Sequence, residues 1–461
     1  MSSTEAAERS HAGPARATGG IRARLSRMET ALVLSVLAVL LGALLLLESG
    51  GGGGREPGGA IPRTPLPQAV ASGLHSPQDS SREGEPAEAA TPLEWSQPRC
   101  SASGNAFWGD DVVGPFRQIW EIQTGYELFG SPALVDGVLY FGCNDSRFRA
   151  VSASTGQAVW AYSVQCGICG EAAVDSQSVY FGGQDGYIYC IDRSSGSKRW
   201  SAGLGYHILG GTALFADTLV AAGNSRGGVA ALSRSDGEVV WNGNVEGLVL
   251  GPAVADSMVV VTTESGEVAS WSFGGESLWR RDLRHQASAP SVVEGKVLVG
   301  LADGTVRCLS AADGSDLWTA DLHSGGLRAV VGRPVAAGGY ALVGTSHSRL
   351  ARISVEDGTV LWNREMENWV QVPPAVGDST AYVSCDDKRL HIVSLADGST
   401  IDSLEMDSYS GTAPTVSGGV VYLGTAGGRM AALGGSEPLS ADSQAAAAPV
   451  APDTSGRGEQ P

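Results

Sequence analysis

The sequence repeats a segment of about eleven residues that ends in tryptophan, as in AVSASTGQAVW (150–160) and ALSRSDGEVVW (231–241). Successive anchor positions lie 38 to 44 residues apart, and an aspartate takes the eighth place. A unit of this size cannot bury an apolar face alone, so the units must pack against one another. The anchor residues in chain order are Trp120, Trp160, Trp200, Trp241, Trp279, Trp318, Trp362 and Asp402.

Each repeat contains four short runs of β-branched and aromatic residues that are separated by turn residues. Residues 131–164 show the pattern: an apolar run, the Asp136-Gly137 turn, VLYFG, a second turn, FRAVS, the Thr155-Gly156 turn and the tryptophan segment. Helical spacing is absent from these runs. The pattern predicts four-stranded antiparallel meanders, which at about 40 residues each are typical of propeller blades.

The two ends of the repeat region indicate how the ring closes. Eight copies of the first-strand segment begin near residues 131, 171, 211, 251, 289, 333, 373 and 412. The last copy, 413–433, stops after its third strand, whereas residues 117–123 around Trp120 form an outer strand with no blade before it. We therefore expect an all-β, eight-bladed propeller in which the N-terminal strand completes the last blade, leaving no open edge.

The repeat resembles the tryptophan-docking motif of PQQ-type repeat propellers, A-x-D-x-x-T-G-x-x-x-W, over about residues 116–436. That family includes quinoprotein alcohol dehydrogenases and the BamB-type propellers of outer-membrane assembly. The resemblance implies eight blades, in agreement with the count, but a fold does not by itself determine function.

The segments outside the repeats predict where the protein is located. Residues 31–47 are an unbroken apolar run preceded by three arginines, which predicts a transmembrane signal-anchor over 28–48 with the N-terminal tail 1–27 in the cytoplasm. A cleaved signal peptide is the alternative. Residues 49–98, rich in Gly and Pro, and the tail 438–461 are expected to be disordered. The domain 99–437 would then lie on the periplasmic side of a bacterial inner membrane.

Charge and composition exclude some functions. The chain carries a net charge of −18, and residues 99–437 contain 36 acidic against 22 basic residues. A body this acidic is a poor partner for nucleic acid.

The quinoprotein dehydrogenases of the resembled family carry a vicinal Cys-Cys pair over the quinone and long insertions between blades. This sequence has neither, so we expect no catalytic residues, no metal and no cofactor, PQQ included.

The cysteines allow several interpretations. Cys190 and Cys308 occupy third-strand positions that hold alanine in other repeats, which indicates buried core residues. Cys166 and Cys169 form a C-x-x-C segment, and Cys143 falls in a turn expected on the same face. A structural disulfide among these three is predicted, since oxidation is favoured in an exported protein. A free buried pair, and a metal or redox site, are the alternatives.

Candidate binding residues lie in the loops that lead into each blade, which break the repeat consensus. Aromatic and arginine side chains dominate binding surfaces, but the same residues would also plug a channel mouth. Isolated acids there, including Glu171 and Glu246, are expected to be solvated. The candidates are Tyr126, Glu127, Phe129, Tyr206, His207, Arg284, His285, His323, Arg328, Asn368, Trp369, Gln371 and Tyr409.

The sequence thus predicts a membrane-anchored, exported, non-catalytic scaffold that binds a protein partner. The resemblance to BamB-type proteins implies cell-envelope assembly. A small-molecule or quinone-binding sensor domain is the alternative, with a quinoprotein dehydrogenase relative the less favoured possibility.

Overall fold

The computed structural model describes residues 111–112, 114–215, 218–223, 225–255, 257–322 and 332–435. These residues belong to one compact unit, Ala87–Pro461. They contain 32 β-strands arranged in eight four-stranded sheets, which we call blades 1 to 8. The all-β propeller predicted from the repeat is therefore present.

The strand bounds follow the repeat. Strand β1 (Arg117–Gln123) precedes blade 1. Blade 1 contains β2 (Ala133–Val135), β3 (Val138–Cys143), β4 (Arg147–Ser152) and β5 (Ala158–Ser163). Blade 2 contains β6 (Ala173–Val174), β7 (Ser178–Gly182), β8 (Tyr187–Asp192) and β9 (Lys198–Gly203). Blade 3 contains β10 (Thr212–Phe215), β11 (Thr218–Ala222), β12 (Gly228–Ser233) and β13 (Val239–Asn244). Blade 4 contains β14 (Val249–Ala255), β15 (Met258–Thr263), β16 (Glu267–Ser272) and β17 (Ser277–Asp282).

The second half of the ring is built in the same way. Blade 5 contains β18 (Ser291–Val293), β19 (Lys296–Gly300), β20 (Thr305–Ser310) and β21 (Asp316–Asp321). Blade 6 contains β22 (Val335–Ala337), β23 (Tyr340–Thr345), β24 (Arg349–Ser354) and β25 (Val360–Glu365). Blade 7 contains β26 (Ala375–Val376), β27 (Thr380–Cys385), β28 (Arg389–Ser394) and β29 (Thr400–Glu405). Blade 8 contains β30 (Thr415–Ser417), β31 (Val420–Gly424) and β32 (Arg429–Gly434), and its fourth strand is β1.

The pairing of β1 with β32 joins the two ends of the repeat region in one sheet. Arg117 is opposite Gly434, Trp120 opposite Ala432, and Gln123 opposite Arg429. The ring is also linked between blades 8 and 1, where the Thr415 hydroxyl donates to the Pro132 carbonyl at 2.8 Å. The predicted partnership of 117–123 with the last third strand is confirmed, and it removes an edge that would otherwise be unpaired.

Every tryptophan of the repeat docks on the following blade. The Trp200 indole N–H donates to the Arg234 carbonyl at 2.9 Å, and the ring lies over Gly237 of the third-to-fourth-strand turn. The other six donate to carbonyls of the equivalent turns at 2.7–3.1 Å. The ring positions require a turn residue without a side chain, and Gly237 also has φ +77°, which favours glycine.

A β-bulge lies just before each anchor residue, and it directs the indole of a tryptophan anchor toward the next blade. In blade 1, Ala150 is opposite Trp160 and Val151 is opposite Ala158, so Val159 has no partner. The same one-residue shift occurs in all eight blades. Since a bulge re-orients the strand locally, in blade 1 the unpaired Val159 faces outward and Trp160 turns onto the next blade. Val159 is accordingly 51% exposed.

The eighth anchor is an aspartate because blade 8 offers no turn to receive an indole. Its third and fourth strands come from opposite ends of the repeat region, so no hairpin connects them. The segment before β1 lies there instead: a side chain at Gly114 would meet the Asp402 carboxylate. The same segment is tied to blade 7, where Asp111 accepts hydrogen bonds from the backbone and hydroxyl of Thr380 at 3.1 and 2.7 Å.

The membrane segment falls outside the part of the chain that is described. Within the described residues, no helix is long and apolar enough to cross a membrane. The predicted anchor over 28–48, the linker 49–98 and the tail from 438 lie outside them.

Candidate functional site: the inter-blade loop face

The loops that run from the fourth strand of one blade to the first strand of the next form one face, which we call the inter-blade loop face. Among the described residues, seven of these loops are joined to the turn between the second and third strands of the blade they enter, and the loop into blade 6 lies largely outside those residues. In blade 1 the Asn144 amide donates to the Glu127 carbonyl at 3.2 Å, and in blade 7 the Asp386 amide donates to the Trp369 carbonyl at 2.9 Å. Equivalent bonds occur in blades 2, 3, 4, 5 and 8. The two loop types therefore share this face, as the sequence predicted.

Each of four loops is also anchored on the preceding blade by one buried aliphatic side chain. Ile168 is fully buried, and it covers Gly142 so closely that any side chain at the glycine would collide with its Cγ2. The Ile168 amide donates to the Cys143 carbonyl at 3.2 Å. Leu128, Ile208 and Val370 repeat the arrangement over Gly424, Gly182 and Gly344. These four loops are thus held between two blades.

Sequence reasoning missed these anchors. The signal was the glycine near the end of the second strand, in FG, VG or LG, combined with a single aliphatic residue in the following loop. A glycine in a strand marks a place where another group approaches the backbone closely.

Three tyrosines of this face are exposed to solvent. Tyr126 is 58% exposed, Tyr206 is 42% exposed and Tyr409 is 45% exposed. The guanidinium of Arg226 lies 4.4 Å from the Tyr206 ring centroid and donates to its hydroxyl at 3.0 Å. This cation–π pair holds the exposed ring in place.

His207 and His285, in two of the described loops, are held by the turns next to them. His207 Nδ1 contacts the Gln184 carbonyl, and the Ser225 amide donates to the His207 carbonyl at 3.0 Å. His285 Nε2 lies 3.5 Å from the Asp303 carboxylate. The preceding Arg284 is exposed, and its amide donates to Asp282 at 2.8 Å. The histidines position the loops, whereas Arg284 is presented to solvent.

The loop that enters blade 7 is held by side-chain hydrogen bonds. Trp369 is half-buried, its amide donates to the Asn368 side chain at 2.9 Å, and Gln371 donates to the Asp386 carboxylate at 2.5 Å. Burial raises the pKa of the Asp386 carboxyl, partly offset by that amide.

The remaining predicted residues are placed as follows. Phe129 is half-buried and Glu127 is exposed. Glu171 accepts a hydrogen bond from the Ser131 hydroxyl at 2.7 Å, so it links two adjacent loops. His323 and Arg328 lie outside the described residues.

Cys143, Cys166 and Cys169 are free thiols in the structure, so the predicted disulfide is not formed here. Cys166 is exposed, whereas Cys169 turns inward, where its thiol donates to the Asn144 side chain at 3.1 Å and receives the Gln184 amide at 2.8 Å. The two side chains of the C-x-x-C segment thus lie in different environments. Burial raises the pKa of Cys169 to about 11. Cys190 and Cys308 are buried in the core, as expected.

This fold, with its docked tryptophans, defines a PQQ-like repeat β-propeller. A model of the family described as outer membrane protein assembly factor BamB matches residues 115–207 and 225–368, and the chain belongs to that family.

Curated relatives match over shorter stretches. The outer membrane protein assembly factor BamB of Pseudomonas aeruginosa is 35% identical over 122 residues, which cover 26% of this chain and 32% of the relative. BamB of Shewanella oneidensis is 33% identical over 111 residues, covering 22% and 28%. The chain spans about a third or less of the length of these relatives.

Solved structures show the same fold at low identity. BamB from Moraxella catarrhalis has a TM-score of 0.58 at 17% identity, covering 69% of this chain and 99% of that one. The computationally designed Ika8 protein has a TM-score of 0.62 at 16% identity, with the same coverage. Quinohemoprotein alcohol dehydrogenase from Comamonas testosteroni has a TM-score of 0.61 at 13% identity, covering 77% and 82%.

Proposed function

We propose that this protein is a non-catalytic scaffold that binds a protein partner through the inter-blade loop face, in assembly of the cell envelope. The observation that carries the proposal is the combination of buried anchors with exposed neighbours: Leu128 is buried while Tyr126 is 58% exposed. Aromatic side chains held on a rigid support bind with a small loss of conformational entropy. Membership of the family described as an outer membrane protein assembly factor supports this role.

The proposal includes location. Residues 31–47 would remain as a single-pass anchor in the inner membrane, and residues 49–98 would let the propeller reach partners in the periplasm. Carbonate-washed membranes should then retain the protein, and N-terminal analysis should find residues upstream of 31. A soluble mature form that starts near residue 49 would show that the run is a cleaved signal.

The non-catalytic part of the proposal rests on the sequence of the repeats. A Cys-Cys dipeptide does not occur in the chain, and the repeats leave few residues for a pocket between blades. Adding PQQ to the purified protein should therefore leave its absorbance spectrum equal to the sum of the two components. A shifted quinone band would favour the small-molecule alternative.

Photo-crosslinking in intact cells tests the binding face. A photoreactive amino acid at Tyr206 should give one dominant crosslinked envelope protein, identified by mass spectrometry. The same group at Val240, which is 57% exposed on an outer strand, is the matched control and should not give that product.

Substitution then separates binding from folding. The triple variant Tyr206→Ala, Arg284→Ala and Trp369→Ala should lose the crosslinked partner while its melting temperature changes little. If the melting temperature falls and the partner is still captured, the loops only plug the channel. Capture at wild-type levels by a well-folded triple variant would move the site away from this face.

A further inference from the structure

Blade 7 brings three potential metal ligands together beneath the inter-blade loop face. Cys385 ends β27, Asp387 lies in the turn that follows, and His391 lies in β28. A ligand atom from each, the Cys385 sulfur, an Asp387 carboxylate oxygen and a His391 ring nitrogen, lie within 4.8 Å of one another. In a tetrahedral zinc site with bonds of about 2.0–2.3 Å, ligand atoms are about 3.3–3.8 Å apart. Small side-chain movements would therefore bring the three atoms to the distances of a zinc site.

The His391 imidazole is buried and faces the Asp387 carboxylate. His391 is 6% exposed, and its Nε2 lies 2.8 Å from the Asp387 carboxylate. Its Nδ1 is buried and has no hydrogen-bond partner. Since Nε2 faces the carboxylate, a shared cation would bind Nε2 in place of the present hydrogen bond. A cation at this place would use the imidazole and the carboxylate together.

In other blades, the residues equivalent to Cys385, Asp387 and His391 form structural contacts. In blade 1, Cys143 and Asp145 stand where Cys385 and Asp387 stand, but Arg149 takes the place of His391 and forms an ion pair with Asp145. In blade 2 the equivalent Tyr189 donates to Asp185 at 2.7 Å. Among the residues that the structure describes, thiol, carboxylate and imidazole meet at this one turn.

We propose that Cys385, Asp387 and His391 form a binding site for a late first-row divalent cation of the zinc class, with water in the fourth position. A thiolate, an imidazole and a carboxylate are ligands that zinc accepts together. The Asp387 side chain is 13% exposed, which provides a route for the ion and for the water.

Bound zinc would stiffen the neighbouring part of the inter-blade loop face. The turn that holds Asp387 is bonded to the Trp369 loop through the Asp386 amide at 2.9 Å and the Gln371 side chain at 2.5 Å. An ion that joins β27 to β28 therefore restrains this loop as well. The site is independent of whether the face binds a protein.

Metal binding to the full-length protein in detergent, kept reduced, provides the test. After removal of metal with a chelator, dialysis against Zn²⁺ should leave one equivalent bound. Replacement by Co²⁺ should give the near-ultraviolet charge-transfer band of a cobalt–thiolate bond, and zinc should raise the melting temperature. Failure to retain an equivalent, or cobalt binding without the thiolate band, would overturn the proposal.

The variants are matched to blade 1. His391→Arg recreates the Asp145–Arg149 pair, so it should fold normally, judged by circular dichroism, and bind zinc at least about 100-fold more weakly. Cys385→Ser should remove the cobalt–thiolate band. Cys143→Ser, the equivalent change in blade 1, should leave one equivalent with unchanged affinity. Binding that survives His391→Arg and is lost in a Cys166→Ser, Cys169→Ser variant would place the ion elsewhere and refute the assignment.

Discussion

The docking of Trp200 on Gly237 permits a quantitative test of how neighbouring blades stabilise each other. Trp200 is 8% exposed, so Trp200→Ala should cost about 3–5 kcal/mol of unfolding free energy through lost burial and the remaining cavity. Gly237→Ala has two costs. A residue with a side chain at φ +77° lowers the free energy of unfolding by about 1–2 kcal/mol through backbone strain. The new Cβ would lie 2.5 Å from Trp200 Cε3, and moving the indole adds about 1–3 kcal/mol.

The two changes should therefore be non-additive. Without the indole, Gly237→Ala should cost only its backbone strain, so the double variant should be about 1–3 kcal/mol more stable than the sum of the single effects predicts. Equilibrium urea unfolding, followed by far-ultraviolet circular dichroism because a tryptophan is removed, measures the four free energies.

Gly205→Ala is the matched control. Gly205 has φ +91° and no atom within 4 Å of the position its Cβ would take, so its substitution reports backbone strain alone. Its effect should be the same with and without Trp200. Additivity of Trp200→Ala and Gly237→Ala within about 0.5 kcal/mol would show that the docked indole does not press on the turn, and would refute the reasoning.

Three further predictions concern the ring and its thiols. Deleting residues 99–125 should expose the β32 edge and cause aggregation; a monomer of unchanged thermal stability would contradict closure by β1. Hydrogen exchange should show 396–405, where Asp402 replaces the indole, opening before 194–203, and equal protection of the two segments would remove that claim. In the non-reduced protein, Cys166 should react with a thiol reagent at pH 8 well before Cys169. The pKa of Cys169, raised to about 11, leaves little thiolate at that pH, and its labelling should accelerate as the pH rises toward that value. Absence of labelling at both until a reductant is added would show that the disulfide forms after all.

The sequence predicted the fold well because the fold depends on local patterns repeated many times. Each run of β-branched and aromatic residues became a strand, and each Asp/Gly turn became a hairpin. The pairing of 117–123 with the last third strand also followed from the sequence, since an incomplete final repeat and a surplus first strand have one economical arrangement.

The candidate site was predicted only in part. The sequence identified the loops and their exposed aromatics, such as Tyr206, but it did not separate these from the neighbouring anchors, such as Ile208. Two residues that are close in a loop differ in burial because one lies over a glycine of the preceding blade, and that contact depends on how blades are placed around the ring. The disulfide expectation failed in this structure for a related reason. Spacing alone does not reveal that Cys166 faces solvent while Cys169 packs against Asn144.

What the sequence alone determined, then, is the repeat, its strands, its turns and the closing strand, because these arise from the period of apolar and turn residues along the chain. The tertiary structure decided which side chains meet. It placed Gly114 against Asp402, 288 residues further along the chain, where an indole would have no turn to dock on. It also brought the buried His391 side chain together with Cys385 and Asp387. Such contacts depend on the packing of complete blades, which no local pattern specifies.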